Sequence, residues 1–266
     1  HRDLHSFPTR RSSDLIRFAL GAIFVRIVYI RSFRKRYPFR WELGVVLFVA
    51  ATLQQIGMVY TSSGNAGFIT GLYVVFVPLI GLIRGQKITL RIGCAIALSI
   101  AGMYLINSFE DSSVTIGNLF ILFSAVFWAI HVQLIDRYNN EIPAAELAIS
   151  QYAVCAALSF IMGFAYLAIK DTRYLVSIEY AKDISNVILP MLYGGIASVG
   201  IAYTLQVQAQ RHTKPSSAAV ILSSEGAFAM LGGWWLLQEA VNYKIIIGSI
   251  TLLIAMIVVS IPQKSG

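Results

Sequence analysis

An all-α integral membrane fold is what this sequence predicts, and three observations predict it: the hydropathy, the recurrence of long apolar stretches, and the placement of the basic residues. Hydrophobic residues make up 57% of the chain and charged residues only 13%. Mean hydropathy is +0.69, a balance that soluble domains do not normally show. A spanning helix needs about 20 mostly apolar residues, and such stretches follow one another along almost the whole chain with short polar connections. No soluble domain is left over. The net charge of +8 would suit a nucleic-acid partner on a soluble surface, but Lys and Arg clustered between apolar stretches follow the positive-inside rule instead, so no nucleic acid is expected. Cys94 and Cys155 both fall in apolar stretches, without CxxC spacing or a His-rich tract, and read as packing residues. No metal or other cofactor is expected.

Residues 1–15 stand apart from the rest of the chain. The stretch 5–15 (HSFPTRRSSDL) reads like a translated sequencing adapter and is set outside the fold. The first apolar stretch, 16–30, is too short to span unaided and reads as part of a helix whose beginning is missing. Fuller helices are predicted over 43–60, 66–83, 92–106, 116–135, 147–169, 187–208, 216–237 and 245–261. With Arg31, Arg34, Lys35, Arg36 and Arg40 in the cytoplasm, alternation brings Arg84, Lys87, Arg91, Arg137, Arg211, Lys214 and Lys264 to the same side. The other side receives Lys170, Arg173, Lys182 and Lys244, and its loops 61–65 and 107–115 carry no Lys or Arg. One orientation therefore fits every loop, with the C-terminus inside.

Sliding the chain against itself by about 150 residues aligns 53–86 (LQQIGMVYTSSGNAGFITGLYVVFVPLIGLIRGQ) with 205–238 (LQVQAQRHTKPSSAAVILSSEGAFAMLGGWWLLQ) without a gap. Gln54 pairs with Gln206, Thr61 with Thr213, Ala66 with Ala218, Ile69 with Ile221, Phe76 with Phe228, Gly81 with Gly233 and Gln86 with Gln238. Apolar bias does not produce matched Gln, Thr and Gly. An odd number of helices separates equivalent positions, so the second copy sits upside down relative to the first. The repeats are expected over 16–107 and 116–262.

The chain resembles the EamA-type transporters of the drug/metabolite transporter superfamily. The resemblance is carried by YTSSGNAGFITGLYVVFVPLIGLIRGQKIT at 60–89, GNLFILFSAVFWAIHVQLIDRY at 117–138 and SSAAVILSSEGAFAMLGGWWLLQE at 216–239, and with their flanks these cover essentially everything after Ile16. It implies ten helices in two inverted five-helix repeats, of which about nine are present here, with the first helix absent. The family's second repeat often reads Glu-Pro. Here Glu225 is followed by Gly226, which should keep that helix straighter.

Glu225 lies in the middle of an apolar helix, where an ionised carboxylate is costly unless paired, hydrated or protonated, so it is expected to face a cavity and to touch substrate or a coupling proton. Tyr73 holds the same position in the first repeat and is expected on the opposite wall. Gln54, Gln55 and Gln206 are costly to leave unsatisfied in hydrocarbon and should bond substrate or a neighbouring helix. Trp128 and His131, one turn apart, offer an aromatic wall and a titratable group, against the plainer reading of packing residues. Gly67 with Gly71, and Gly81 with Gly85, form small-xxx-small pairs that admit a partner backbone. Trp234 and Trp235 fit an aromatic belt, and Gln86 and Glu239 are expected in solvated loops.

The function expected is a secondary transporter acting by alternating access on a small metabolite or drug across the bacterial inner membrane, with proton coupling through Glu225. Export comes from the resemblance, which also leaves room for a homodimer in the lipid bilayer. The rival classes are a membrane-embedded enzyme and a channel. No HExxH, GxSxG or P-loop supports the first, and no polar rings or filter loop support the second.

Overall fold

A computed structural model describes residues 7–29, 37–106, 116–169, 188–189, 191–238 and 241–261. The loop 107–115 and Arg31, Arg34, Lys35, Arg36, Lys170, Arg173, Lys182, Glu239 and Lys264 lie outside the described residues. The described chain is helical with no strand, as apolar segments must be when backbone polar groups have no water to bond. Six of its helical segments are long and apolar enough to cross a membrane: Trp41–Tyr60, Asn65–Ile83, Ile116–Asn139, Ala144–Ala165, Pro215–Leu236 and Tyr243–Ser260. Leu90–Ile106 is apolar and shorter.

The helices, in chain order, are α1 (Phe7–Val28), α2 (Trp41–Tyr60), α3 (Ser63–Gly71), α4 (Tyr73–Ile83), α5 (Leu90–Ile106), α6 (Ile116–Asn139), α7 (Ala144–Ile169), the π-helical α8 (Tyr193–Tyr203), α9 (Thr204–Ala209), α10 (Pro215–Ser223), α11 (Glu225–Leu237) and α12 (Tyr243–Ser260). One expectation changes. The first helix extends back to Phe7, through the adapter-like stretch, because Pro8 is tolerated in a first turn and nothing after it breaks the helix. The stretches 66–83 and 216–237 fall on the candidate spans Asn65–Ile83 and Pro215–Leu236 as expected, and within each a single residue, Leu72 or Ser224, separates two helices. Contacts divide the chain into two units: His1–Phe48 with Arg137–His212, and Val49–Asp136 with Thr213–Gly266.

In the first unit α1 runs antiparallel to α7, with the Phe18 and Tyr152 rings 6.3 Å apart, and alongside α8. A Cβ at Gly195 would lie 2.7 Å from the Leu20 Cβ, so glycine there lets the wider π-helical coil rest on α1. One end of this unit is laced with polar contacts. The Tyr138 hydroxyl donates to Glu42 Oε1 at 2.6 Å, and Arg40 stacks on the Tyr138 ring at 4.4 Å while reaching Glu141 at 3.8 Å. Asn139 Nδ2 donates to the Val207 carbonyl at 2.7 Å, and Arg211 Nε to the Asn139 carbonyl at 2.9 Å.

In the second unit α5 and α12 form an antiparallel pair. Arg91 Nε donates to the Val258 carbonyl near one end. Toward the other, a Cβ on Gly102 would lie 2.8 Å from the Gly248 carbonyl oxygen and one on Gly248 2.7 Å from that of Gly102. The two backbones therefore touch, as small residues allow between membrane helices. The small-xxx-small pairs expected to do this do something else. Gly71 faces the Met103 thioether, Gly81 faces the side chains of Gln86 and Gln133, and Gly85, at φ 77°, ends a helix in a left-handed turn. Cys155 is buried as expected, whereas Cys94 is exposed, on the side of α5 turned away from its partners.

Candidate functional site

The second unit holds two helical spans that are each interrupted at a single residue. Using the offset that pairs Leu53 with Leu205, the residue between α3 and α4, Leu72, is the counterpart of Ser224 between α10 and α11. Their backbones agree: φ −60° and ψ −11° at Leu72, φ −69° and ψ −8° at Ser224. So do the hydrogen bonds around them. The Leu72 amide donates to Ile69 at 3.2 Å and the Ser224 amide to Ile221 at 3.1 Å, while the Leu72 carbonyl accepts from Val75 and the Ser224 carbonyl from Ala227, both at 2.9 Å. The first turns match as well, with Ala66 donating to the Ser62 carbonyl and Ala218 to that of Lys214, both at 2.9 Å.

The two broken segments run in opposite directions. Along α3, Phe68 meets Tyr104 at 6.2 Å between ring centroids and Gly71 faces Met103, so α3 and α4 lie antiparallel to α5. Along α10 and α11, Ser223 Oγ, whose hydrogen goes to the Val220 carbonyl, lies 3.2 Å from Ser99 Oγ and Gly226 faces Ile106, so these lie parallel to α5.

Ser224, the residue between α10 and α11, keeps right-handed helical torsions, and Gly226 lies in the first turn that follows. Ser223 Oγ donates to the Val220 carbonyl at 2.7 Å and Ser224 Oγ to the Ile221 carbonyl at 2.6 Å. These hydroxyls bond back one turn onto their own helix, but the same backbone turn forms at Leu72 without a serine, so it does not depend on them. In the first copy Pro78 lies inside α4, beyond the break.

Glu225 is the first residue of α11 and is exposed, whereas its counterpart Tyr73 opens α4 and is buried, 7% exposed, among Val74, Val77, Ala219, Val220 and Ala227. Gln54, half-buried, ties three helices together: its Nε2 donates to Thr70 Oγ1 at 3.2 Å, and its Oε1 accepts from Trp128 Nε1 at 3.2 Å. Trp128 meets the buried His131 edge to face, with ring centroids 5.9 Å apart. Gln55 is half-buried in the second unit, and Gln206 is half-buried on α9 in the first. Trp234 and Trp235 are exposed on α11, as an aromatic belt requires.

Sequence reasoning missed a polar cluster at the end of α4. Arg84 Nη1 donates to the Gln133 carbonyl at 2.7 Å and to its Oε1 at 2.5 Å, and lies 3.5 Å from Asp136 Oδ2. Gln86, expected to be solvated, is half-buried and donates to Gln133 Oε1 at 3.2 Å. The signal that could have found it is Gln133 itself, a second amide in an apolar span. Among the described residues no group of three or more His, Cys, Asp or Glu is placed to hold a metal ion.

Comparison with known proteins agrees with this geometry. The EamA-like transporter family profile matches residues 115–261. A protein of Archaeoglobus fulgidus described as an uncharacterized transporter is 30% identical over 250 residues, which is 92% of this chain and 77% of that protein. A second protein so described, from the same organism, is 23% identical over 219 residues, 78% of this chain and 69% of that protein. A solved crystal structure superposes with a TM-score of 0.75 over 96% of this chain and 91% of its own, at 15% identity, and shows the same fold. The chain therefore belongs to the EamA-like transporter family and is a multi-pass membrane transporter.

Proposed function

We propose that this protein is a secondary carrier that exports a small cationic or zwitterionic metabolite or drug across the bacterial inner membrane by alternating access, with its C-terminus in the cytoplasm. The observation that carries the reading is the pair of oppositely directed broken helices, one opening on buried Tyr73 and the other on exposed Glu225. If each copy adopts the other's conformation in turn, a central site opens first to one side and then to the other. Glu225 supplies the only carboxylate at the two breaks. An ionised carboxylate at mid-membrane is costly unless neutralised, so a proton and a cationic ligand group compete for it, and that competition couples export to proton entry. The positive end of the α11 dipole, at Glu225 and Gly226, suits the carboxylate of a zwitterion. The cargo leaves chemically unchanged.

The test is transport by the purified protein in proteoliposomes under an imposed pH gradient, across a panel of organic cations and zwitterionic amino acids. Glu225→Gln keeps the shape and removes the charge and the titration. It should lower transport at least about tenfold, or about 1.4 kcal/mol in the barrier, and abolish its dependence on pH. An unchanged rate and pH profile would remove Glu225 from the mechanism.

A further inference from the structure

We infer that the contact between the end of α6 and the 3-10 turn Gln210–His212 after α9 is a closure held shut against the cost of dry amide groups on Gln210 and Asn139, and that it opens in the transport cycle. This rests on the alternating-access reading above. Gln210 is 5% exposed and Asn139 1%. Among the described residues no hydrogen-bond partner meets Gln210 Nε2, Gln210 Oε1 or Asn139 Oδ1, and all three atoms are shielded from solvent. Rotating the amides does not help. Turned over, Gln210 exchanges two unpartnered atoms, and Asn139 would set its oxygen against the Val207 carbonyl, to which its Nδ2 donates at 2.7 Å.

What holds the contact and what opposes it can be weighed against each other. It is held by side chains on backbone carbonyls: Arg211 Nε donates to Asn139 at 2.9 Å, Arg211 Nη2 to Ile142 at 3.1 Å, and Asn139 Nδ2 to Val207. A bond of this kind is exchanged for one to water when it breaks, so its net contribution is small. A buried amide atom with no partner loses its hydration and receives nothing in return, which makes the unmade bond the larger quantity. Exposed Asn140 and Glu141 on one side and exposed His212 on the other put the contact at the aqueous end of its helices. Separation therefore hands the three carbonyls to water and hydrates all three amide atoms. The segment that carries Gln210 and Arg211 is also built to rearrange. It passes from a π-helix over Tyr193–Tyr203 to six residues of α-helix and then to a 3-10 turn of three, the tightest and most poorly bonded winding of these. Gln210 acts on transport through this contact and not on the cargo, and is a positioning residue.

The experiment uses the full chain, with Cys94→Ser and Cys155→Ala as background and Val207→Cys as a reporter, since Val207 is fully buried beneath the contact. Labelling by a membrane-impermeant maleimide is followed in oriented vesicles from the face carrying Arg211. Gln210→Met keeps the length of the side chain and removes both unpartnered atoms. It should raise the melting temperature in detergent by about 3 °C, slow labelling of the reporter about tenfold, and slow transport of the organic cations and amino acids by a similar factor. Gln210→Leu serves where Gln210→Met is not recovered from the membrane. Gln210→Glu, which places a charge in the same dry position, should lower the melting temperature and speed labelling. A lower melting temperature or faster labelling in Gln210→Met would show that the glutamine supports the contact, and overturns the inference, as does no change in either. Slower labelling with transport unaltered overturns the role of the opening in the cycle. Transport by the wild-type protein judges the underlying reading separately: no transport of any compound, with Gln210→Met still melting higher and labelling more slowly, defeats the carrier reading alone.

Discussion

The segments α3–α4 and α10–α11 share a backbone down to individual hydrogen bonds, yet their surroundings differ at almost every point. Both break at the same repeat position, with ψ near zero at Leu72 and at Ser224. The first has no proline at its break and ends in a polar cluster around Gln133, while the second has two serine hydroxyls bonded back to its own carbonyls and ends in exposed Leu236 and Gln238. A conserved backbone with unlike side chains separates what the geometry needs from what each copy does with it. The break and the opposite direction are common to both. The polar cluster at the end of α4 and the carboxylate at the start of α11 each occur in one segment alone.

The comparison can be broken most forcefully at its shared support, since both segments lean on the α5–α12 pair. Gly248→Leu would force a side chain against the Gly102 carbonyl oxygen, where a Cβ alone would sit 2.7 Å away. Backbone cannot swing aside as a side-chain tip can, so a loss of about 3 kcal/mol is expected, read as a lower melting temperature in detergent with both segments disturbed. A melting temperature equal to wild type would show that α5 and α12 are not in backbone contact. A smaller change sharpens the contrast between copies. Gln54→Leu removes bonds to Thr70 and Trp128 and should cost about 1–2 kcal/mol, whereas Gln206→Leu, at the matched position, should fall within about 0.5 kcal/mol. Equal losses would mean that the two glutamines do the same work after all.

Much of this molecule was legible in its sequence, for identifiable reasons. Apolar stretches and loop charges give helices and alternation because the bilayer penalises every unpaired backbone group and every stray charge. The repeat is a reading of matched Gln, Thr and Gly at one offset. The breaks were not legible, since hydropathy is read over windows longer than either half-helix and shows 66–83 and 216–237 as unbroken. The Gly102–Gly248 contact joins residues far apart in the chain with no spacing motif between them. Gln86 looked solvated because it follows a helix end, and only the fold brings Gln133 beside it. Among the expected site residues, Gln54 and Trp128 bond each other, which no spacing in the sequence indicates.

The most direct test of the central claim, that two like segments cross the membrane in opposite senses, is labelling at their matched ends. Single cysteines at Lys87, beyond α4, and at Gln238, beyond α11, both at exposed positions, are read with an impermeant maleimide in intact cells and in inverted vesicles, with Cys94 and Cys155 replaced. Lys87→Cys should react only from the cytoplasmic face and Gln238→Cys only from the outer face. Reaction of both from the same face would contradict the inverted arrangement and the carrier mechanism built on it.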